Sequence, residues 1–95
     1  MRASSHGAGY RKNLTELHAG SRGIEKIDSN SMSRFPNLEV LWLNDNKLSG
    51  PLPPFTSNPL LQDLQIYNNK LSGPLPPDFS ATPLLQTFFA YNNDF

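Results

Sequence analysis

From Leu38 onward, apolar residues recur at a fixed spacing. Leu38, Leu41, Leu43 and Leu48, with Asn46 among them, return as Leu61, Leu64, Ile66 and Leu71 with Asn69, then as Leu85, Phe88, Ala90 and Phe95 with Asn93. The offsets are about 23 and 24 residues, the length of one repeating unit whose copies share a core by stacking. Within each copy the apolar residues alternate over a short span, as Leu41/Leu43, Leu64/Ile66 and Phe88/Ala90. That is the period of a strand with one buried face, so Trp42, Gln65 and Phe89 point outward. A weaker copy precedes these, Leu14, Leu17, Ala19, Arg22 and Ile24, and it keeps the same register. Successive units run the same way, which predicts about four short parallel strands.

Between strands the chain must return, and here proline takes over. Pro51, Pro53, Pro54 and Pro59 are matched by Pro74, Pro76, Pro77 and Pro83. Proline fixes φ and has no backbone donor, so these segments are expected to be irregular, extended or in short 3₁₀ turns rather than helical. Both contain LSGPLPP, and Asp78 is the extra residue that lengthens one period; Phe55 and Phe79 then occupy equivalent places on the outer side of the core. The earlier return segment, GIEKIDSNSMSRFPN, lacks LSGPLP, and its Asp28 or Ser29 can cap a short helix or turn. The predicted organisation is a disordered lead-in over 1–13 and a repeat array over 14–95, with units at about 14–37, 38–60, 61–84 and a truncated 85–95.

The whole chain has 95 residues, 8 basic and 8 acidic, and no cysteine. Zero net charge gives no support to nucleic-acid binding, and the lack of cysteine excludes a disulfide framework. The charge is uneven, with six basic residues against three acidic over 1–37, and two lysines against five acidic residues over 38–95. No apolar run approaches the roughly 20 residues of a membrane helix. Met1–Lys12 has charge but no apolar centre, so it is not a secretory signal. The compartment is left unknown by this, with a cytoplasmic chain expected as it stands. Asn13-Leu14-Thr15 is a glycosylation acceptor pattern, meaningful only on a secretory route.

The LxxLxLxxNxL pattern resembles the leucine-rich repeat family, over roughly residues 14–95. NKLSGPLPPF and NKLSGPLPPDF resemble its plant-type subclass, found in the extracellular parts of receptor-like proteins and kinases, whereas LTELHAGSRGIEKI resembles the typical subclass. The resemblance implies an α/β-type solenoid, a right-handed superhelix whose parallel strands line a concave face. It also implies a ladder in which Asn46, Asn69 and Asn93 bond backbone groups of adjacent turns. Arg22 is too long and charged for that slot, so the first turn is expected to be frayed or capping. Asn69→Ala is expected to cost more stability than Asn58→Ala. Phe95 falls in the slot of Leu48 and Leu71 with no polar cap after it, so a fragment of a longer array is expected, extracellular or membrane-attached if it derives from a plant-type receptor.

No phosphate-cradling loop, nucleophile elbow or metal-spaced set of ligands appears, so neither catalysis, a cofactor nor a metal is expected. His18 lies on the same strand face as Glu16, an ordinary solvated pair rather than a metal or acid–base site, and His6 in the lead-in carries no signal. The outward rows His18/Trp42/Gln65/Phe89 and Gly20/Asn44/Tyr67/Tyr91 are more informative, with Ser21/Asp45/Asn68/Asn92 at the strand ends. An open sheet face would display Trp42, Tyr67, Phe89 and Tyr91 as an aromatic platform, with Asn44, Asp45, Gln65 and Asn68 as hydrogen-bonding groups. Alternatively these rings cover neighbouring backbone, or Phe89 packs against further repeats. The expected role is a non-catalytic module binding a protein or peptide on that face. The alternatives are the ligand-recognition part of a receptor-like protein or kinase, a cytoplasmic scaffold of the same architecture, and a truncated array without independent function.

Overall fold

A computed structural model describes residues 13–75 and 79–95. The lead-in 1–12, with His6, and the Pro76, Pro77 and Asp78 of the third return segment lie outside the described residues. In chain order the elements are β1 (Glu16–His18), α1 (Ser29–Met32), β2 (Val40–Trp42), β3 (Ser49–Gly50), β4 (Asp63–Gln65), β5 (Lys70–Leu71) and β6 (Thr87–Phe89). The three-residue strands form one parallel sheet in the order β1-β2-β4-β6. Its register aligns Leu17 with Leu41, Leu41 with Leu64, and Leu64 with Phe88, as the repeat spacing requires. Backbone bonds extend each ladder past the strand ends, from Ala19 N to Trp42 O (2.8 Å), Leu43 N to Gln65 O (2.7 Å) and Ile66 N to Phe89 O (2.8 Å).

The inward residues fuse into one core. Leu38, Leu41, Leu48, Leu61, Leu64, Ile66 and Leu71 have no solvent exposure, and Leu43, Leu52, Phe55 and Met32 are nearly as buried. Leu17, Ala19 and Ile24 of the first unit, and Leu85, Phe88 and Ala90 of the fourth, pack against that core while only partly buried. Phe55 is buried as expected, whereas its counterpart Phe79 is half-buried and meets Phe88 edge-on, with ring centroids 5.1 Å apart.

The return segments hold successive i→i+3 turns, closed by Phe35 N to Met32 O and Leu38 N to Phe35 O, by Asn58 N to Phe55 O and Leu61 N to Asn58 O, and by Thr82 N to Phe79 O and Leu85 N to Thr82 O. They also hold a second, parallel two-stranded ladder between β3 and β5, which the apolar pattern does not reveal. In that ladder Ser49 pairs with Lys70, although by repeat position its equivalent is Ser72. The first unit, lacking LSGPLP, takes the four-residue helix α1 instead. Of the two caps considered, Asp28 closes it: its Oδ1 accepts a bond from Ser31 N at 2.8 Å.

The expectation of a frayed first turn is overturned. Arg22 keeps its side chain exposed, but the turn is closed from the next unit: Asn46 Oδ1 accepts from Arg22 N (2.9 Å) and Ile24 N (3.0 Å). The bond to Ile24 N repeats those that Asn69 makes with Leu48 N and Asn93 with Leu71 N, and the bond to Arg22 N is the addition at this turn.

Candidate functional site

One face of the four-stranded sheet is covered by core and convex segments, and the other is open. Alternation along the strands places Glu16, His18 and Gly20 of the first unit on the open face, with Val40, Trp42 and Asn44, then Asp63, Gln65 and Tyr67, then Thr87, Phe89 and Tyr91 in register beside them. The row Glu16/Val40/Asp63/Thr87 was missed in the sequence. The same period of two, carried two residues upstream from His18 and Trp42, would have found it.

The rings do not lie apart. His18 stacks on Trp42 (centroids 4.1 Å, interplanar angle 13°), and Tyr67 stacks on Tyr91 (4.7 Å, 12°). Phe89 sits 6.4 Å from Tyr91, tilted by 52°. Stacking across neighbouring strands follows from their close spacing, which brings flat side chains in one row face to face. It shields part of each ring, so Trp42 and Tyr67 are half-buried while Phe89 and Tyr91 stay exposed at 45% and 57%.

One row upstream of the His18/Trp42 stack, on the neighbouring strand, lies a carboxylate. Asp63 Oδ2 accepts from the Trp42 indole Nε1 at 3.1 Å, and its Oδ1 accepts from Gln65 Nε2 at 3.1 Å. At the edge of the sheet, Glu16 Oε1 meets His18 Nε2 at 3.2 Å, an ion pair when the imidazole is protonated.

The rim row is built differently. Ser21, Asp45, Asn68 and Asn92 all take left-handed backbone with φ of 57 or 58°, a conformation in which Asn and Asp are enriched among non-glycine residues. Their side chains form a chain of their own. Asn44 Nδ2 and Asn68 Nδ2 donate to the two Asp45 oxygens (2.7 and 2.8 Å), and Asn92 Nδ2 donates to Asn68 Oδ1 (2.7 Å). These bonds, that from Asn44 first, hold the Asp45 carboxyl below its usual range. Asp45, Asn68 and Asn44 are therefore engaged with one another along the rim, as Asp63 is with Trp42 and Gln65 further along the face.

Behind the rim, Asn46, Asn69 and Asn93 repeat one bonding pattern. Asn69 Nδ2 donates to Leu43 O (3.0 Å) in the preceding turn and to Ile66 O (2.9 Å) and Tyr67 O (3.2 Å) in its own, while its Oδ1 accepts from Leu48 N (3.0 Å). Asn46 reaches Ala19 O, Leu43 O and Asn44 O; Asn93 reaches Ile66 O, Ala90 O and Tyr91 O. Asn58 is more than the surface contrast that its position suggests. It is fully buried, and its Nδ2 donates to Met32 O (3.1 Å) and Phe35 O (2.9 Å) of the preceding unit, a second tie on the convex side. Its Oδ1 has no partner among the described residues.

Residues 37–59 and 60–81 each match the family description Leucine Rich Repeat. Residues 37–81 are leucine-rich repeats. The parallel sheet of short strands with little helix has the architecture of a leucine-rich repeat solenoid. Leucine-rich repeat domains are generally protein-interaction modules and typically non-catalytic, and no catalytic family is evident in this one. No curated protein matches the chain. Among the described residues no helix is long and apolar enough to cross a membrane.

An open cleft of about 640 Å³ also lies on the convex flank, between residues 25–28 and 49–54. It opens where α1 replaces the LSGPLPP segment. Its one aspartate, Asp28, is committed to capping α1, a bond from Ser31 that lowers its pKa.

Proposed function

We propose that this solenoid is a docking module that holds a protein or peptide on the concave face of its sheet, with Trp42, Gln65, Tyr67, Phe89 and Tyr91 at the centre and Asn44, Asp45 and Asn68 as the rim. The reading rests on one observation above the others: a sheet face braced by ring stacking keeps Phe89 and Tyr91 exposed beside each other. Large rings fixed before binding lose little conformational entropy on contact, which favours them as anchors. The surrounding polar groups are already bonded to one another, so a partner meets a formed surface rather than one it must order.

The test is selection of binders from a displayed library of random 12-residue peptides against the folded chain. Combined Trp42→Ala and Tyr67→Ala is expected to weaken the selected binders at least tenfold, while Lys26→Ala on the convex flank leaves them unchanged. Binders indifferent to the paired substitution reject the concave site.

A second reading has its own support. The paired LSGPLPP segments resemble plant-type repeats, and Asn13 of the Asn13-Leu14-Thr15 pattern is exposed, consistent with the ligand-recognition part of an extracellular receptor-like protein. Glycan occupancy at Asn13 after expression through a secretory route supports that reading; an unmodified Asn13 there counts against it.

A further inference from the structure

Among the described residues the open face carries carboxylates and rings but no Lys or Arg. Among the outward positions of the four strands there is no Lys or Arg, whereas Glu16 and Asp63 supply two carboxylates and Asp45 a third at the rim. Arg22, Lys26, Arg34, Lys47 and Lys70 all lie outside the strand rows of that sheet, in turns and return segments. Glu16 has His18 beside it, but Asp63 is held only by the neutral indole of Trp42 and the neutral amide of Gln65. Those bonds, with a longer contact of 3.5 Å from Gln65 Nε2 to Oδ2, fix the plane of the carboxylate; Oδ1 has room for a second donor, and Oδ2 for one in place of the longer contact. A fixed carboxylate with both oxygens available matches the forked donors of a guanidinium better than the single point charge of an ammonium. The adjoining Trp42 ring adds a surface on which a flat cation can rest.

A second feature sets the length of the partner. Asp63 begins β4 and Tyr67 lies two residues past its end, about 13 Å away at the usual extended rise, and Tyr67 stacks directly on Tyr91, which has Phe89 beside it. An extended segment lying along the strands covers that distance in about four residues. Resting on the docking reading above, we infer that the partner is a basic peptide segment, with an arginine paired to Asp63 and an aromatic or branched apolar residue about four positions away against Phe89 and Tyr91.

The same displayed 12-residue peptide library provides the test. Binders sensitive to Trp42→Ala with Tyr67→Ala are expected to be rich in arginine over lysine, poor in acidic residues, and to carry an apolar residue about four positions from the arginine. Replacing that arginine in a synthesised binder by citrulline, its neutral isostere, is expected to weaken binding about tenfold or more. Lysine in its place gives a smaller loss, and raising the salt weakens the parent peptide but not the citrulline form. Asp63→Asn, which keeps the shape and one acceptor, is expected to match the citrulline loss while Glu16→Gln has little effect; thermal melts establish that both variants fold. Concave-dependent binders without arginine, or with arginine replaceable by citrulline at no cost, overturn the cation assignment and leave the docking reading standing. Binders indifferent to Trp42→Ala with Tyr67→Ala overturn both.

Discussion

Units two and three carry the same apolar pattern as units one and four, yet the two pairs are buried to different degrees. Leu41 and Leu64 are wholly enclosed, whereas Leu17 and Phe88, in register with them on the outer strands, are only partly so. The pattern specifies which way a side chain points. How much water it loses depends on whether a unit lies on both sides of it or on one. In a stacked array the stabilising free energy therefore resides in the interfaces between units more than in the units themselves.

The largest test of this difference is Leu64→Ala against Leu17→Ala. Removing a fully enclosed leucine costs about 2–5 kcal/mol through lost burial and the cavity left behind, enough to unfold much of a domain this small. Leu17 is already half-solvated, and its loss is expected to cost clearly less in denaturant-midpoint measurements. Equal losses would mean that the outer units are as tightly coupled as the inner pair.

A sharper comparison sets the two buried asparagines against each other. Asn69→Ala strips one bond from each of three carbonyls that keep another and leaves the Leu48 amide without its acceptor, and is expected to cost about 2 kcal/mol; Asn58→Ala strips one bond from each of two carbonyls that keep another and also removes an acceptor that had no partner, and is expected to cost about 1 kcal/mol. Equal melting temperatures for the two variants would place the convex tie on a par with the ladder.

The smallest effect is electrostatic. Asp28, bonded first by the Ser31 amide, and Asp45, bonded first by Asn44, both have pKa values lowered from aspartate's usual 3.8. A value lower in the folded chain than in the unfolded one means that the contribution is present above pH 3.8 and is lost as pH falls through the lower folded value. Melting temperature is expected to fall on acidification in that window, and less steeply in Asp28→Asn with Asp45→Asn. An unchanged acid limb in the double variant would remove both carboxylates from the account.

The strands and the asparagine slots were legible in the sequence because each rests on a strict period, two within a strand and about 23 to 24 between units. What stayed hidden follows no apolar period. The β3–β5 ladder spans two residues on each side, too short for alternation to show, and it pairs Ser49 off its repeat position. Asn58 precedes a proline in a segment that reads as a solvated turn, and only the fold brings Met32 and Phe35 within its reach. The rim row did carry a signal, since Asp and Asn recurring one residue after the outward row are the side chains that tolerate left-handed backbone. Asp63 was within reach of the same alternation that found Gln65.

The β3–β5 ladder also has a mechanical side. Units two and three are pinned at both edges of the stack, along the main sheet and again across their return segments, so their spacing is held near the strand separation of about 4.8 Å on both sides. Units one and two are joined by strand pairing only along the main sheet, and the wedge between residues 25–28 and 49–54 is the visible gap. On that edge units one and two keep one backbone bond, Lys47 N to Ile24 O at 2.8 Å, and units three and four an isolated bridge between Ser72 and Asp94. The aromatic cluster of Tyr67, Phe89 and Tyr91 lies across units three and four, away from the gap.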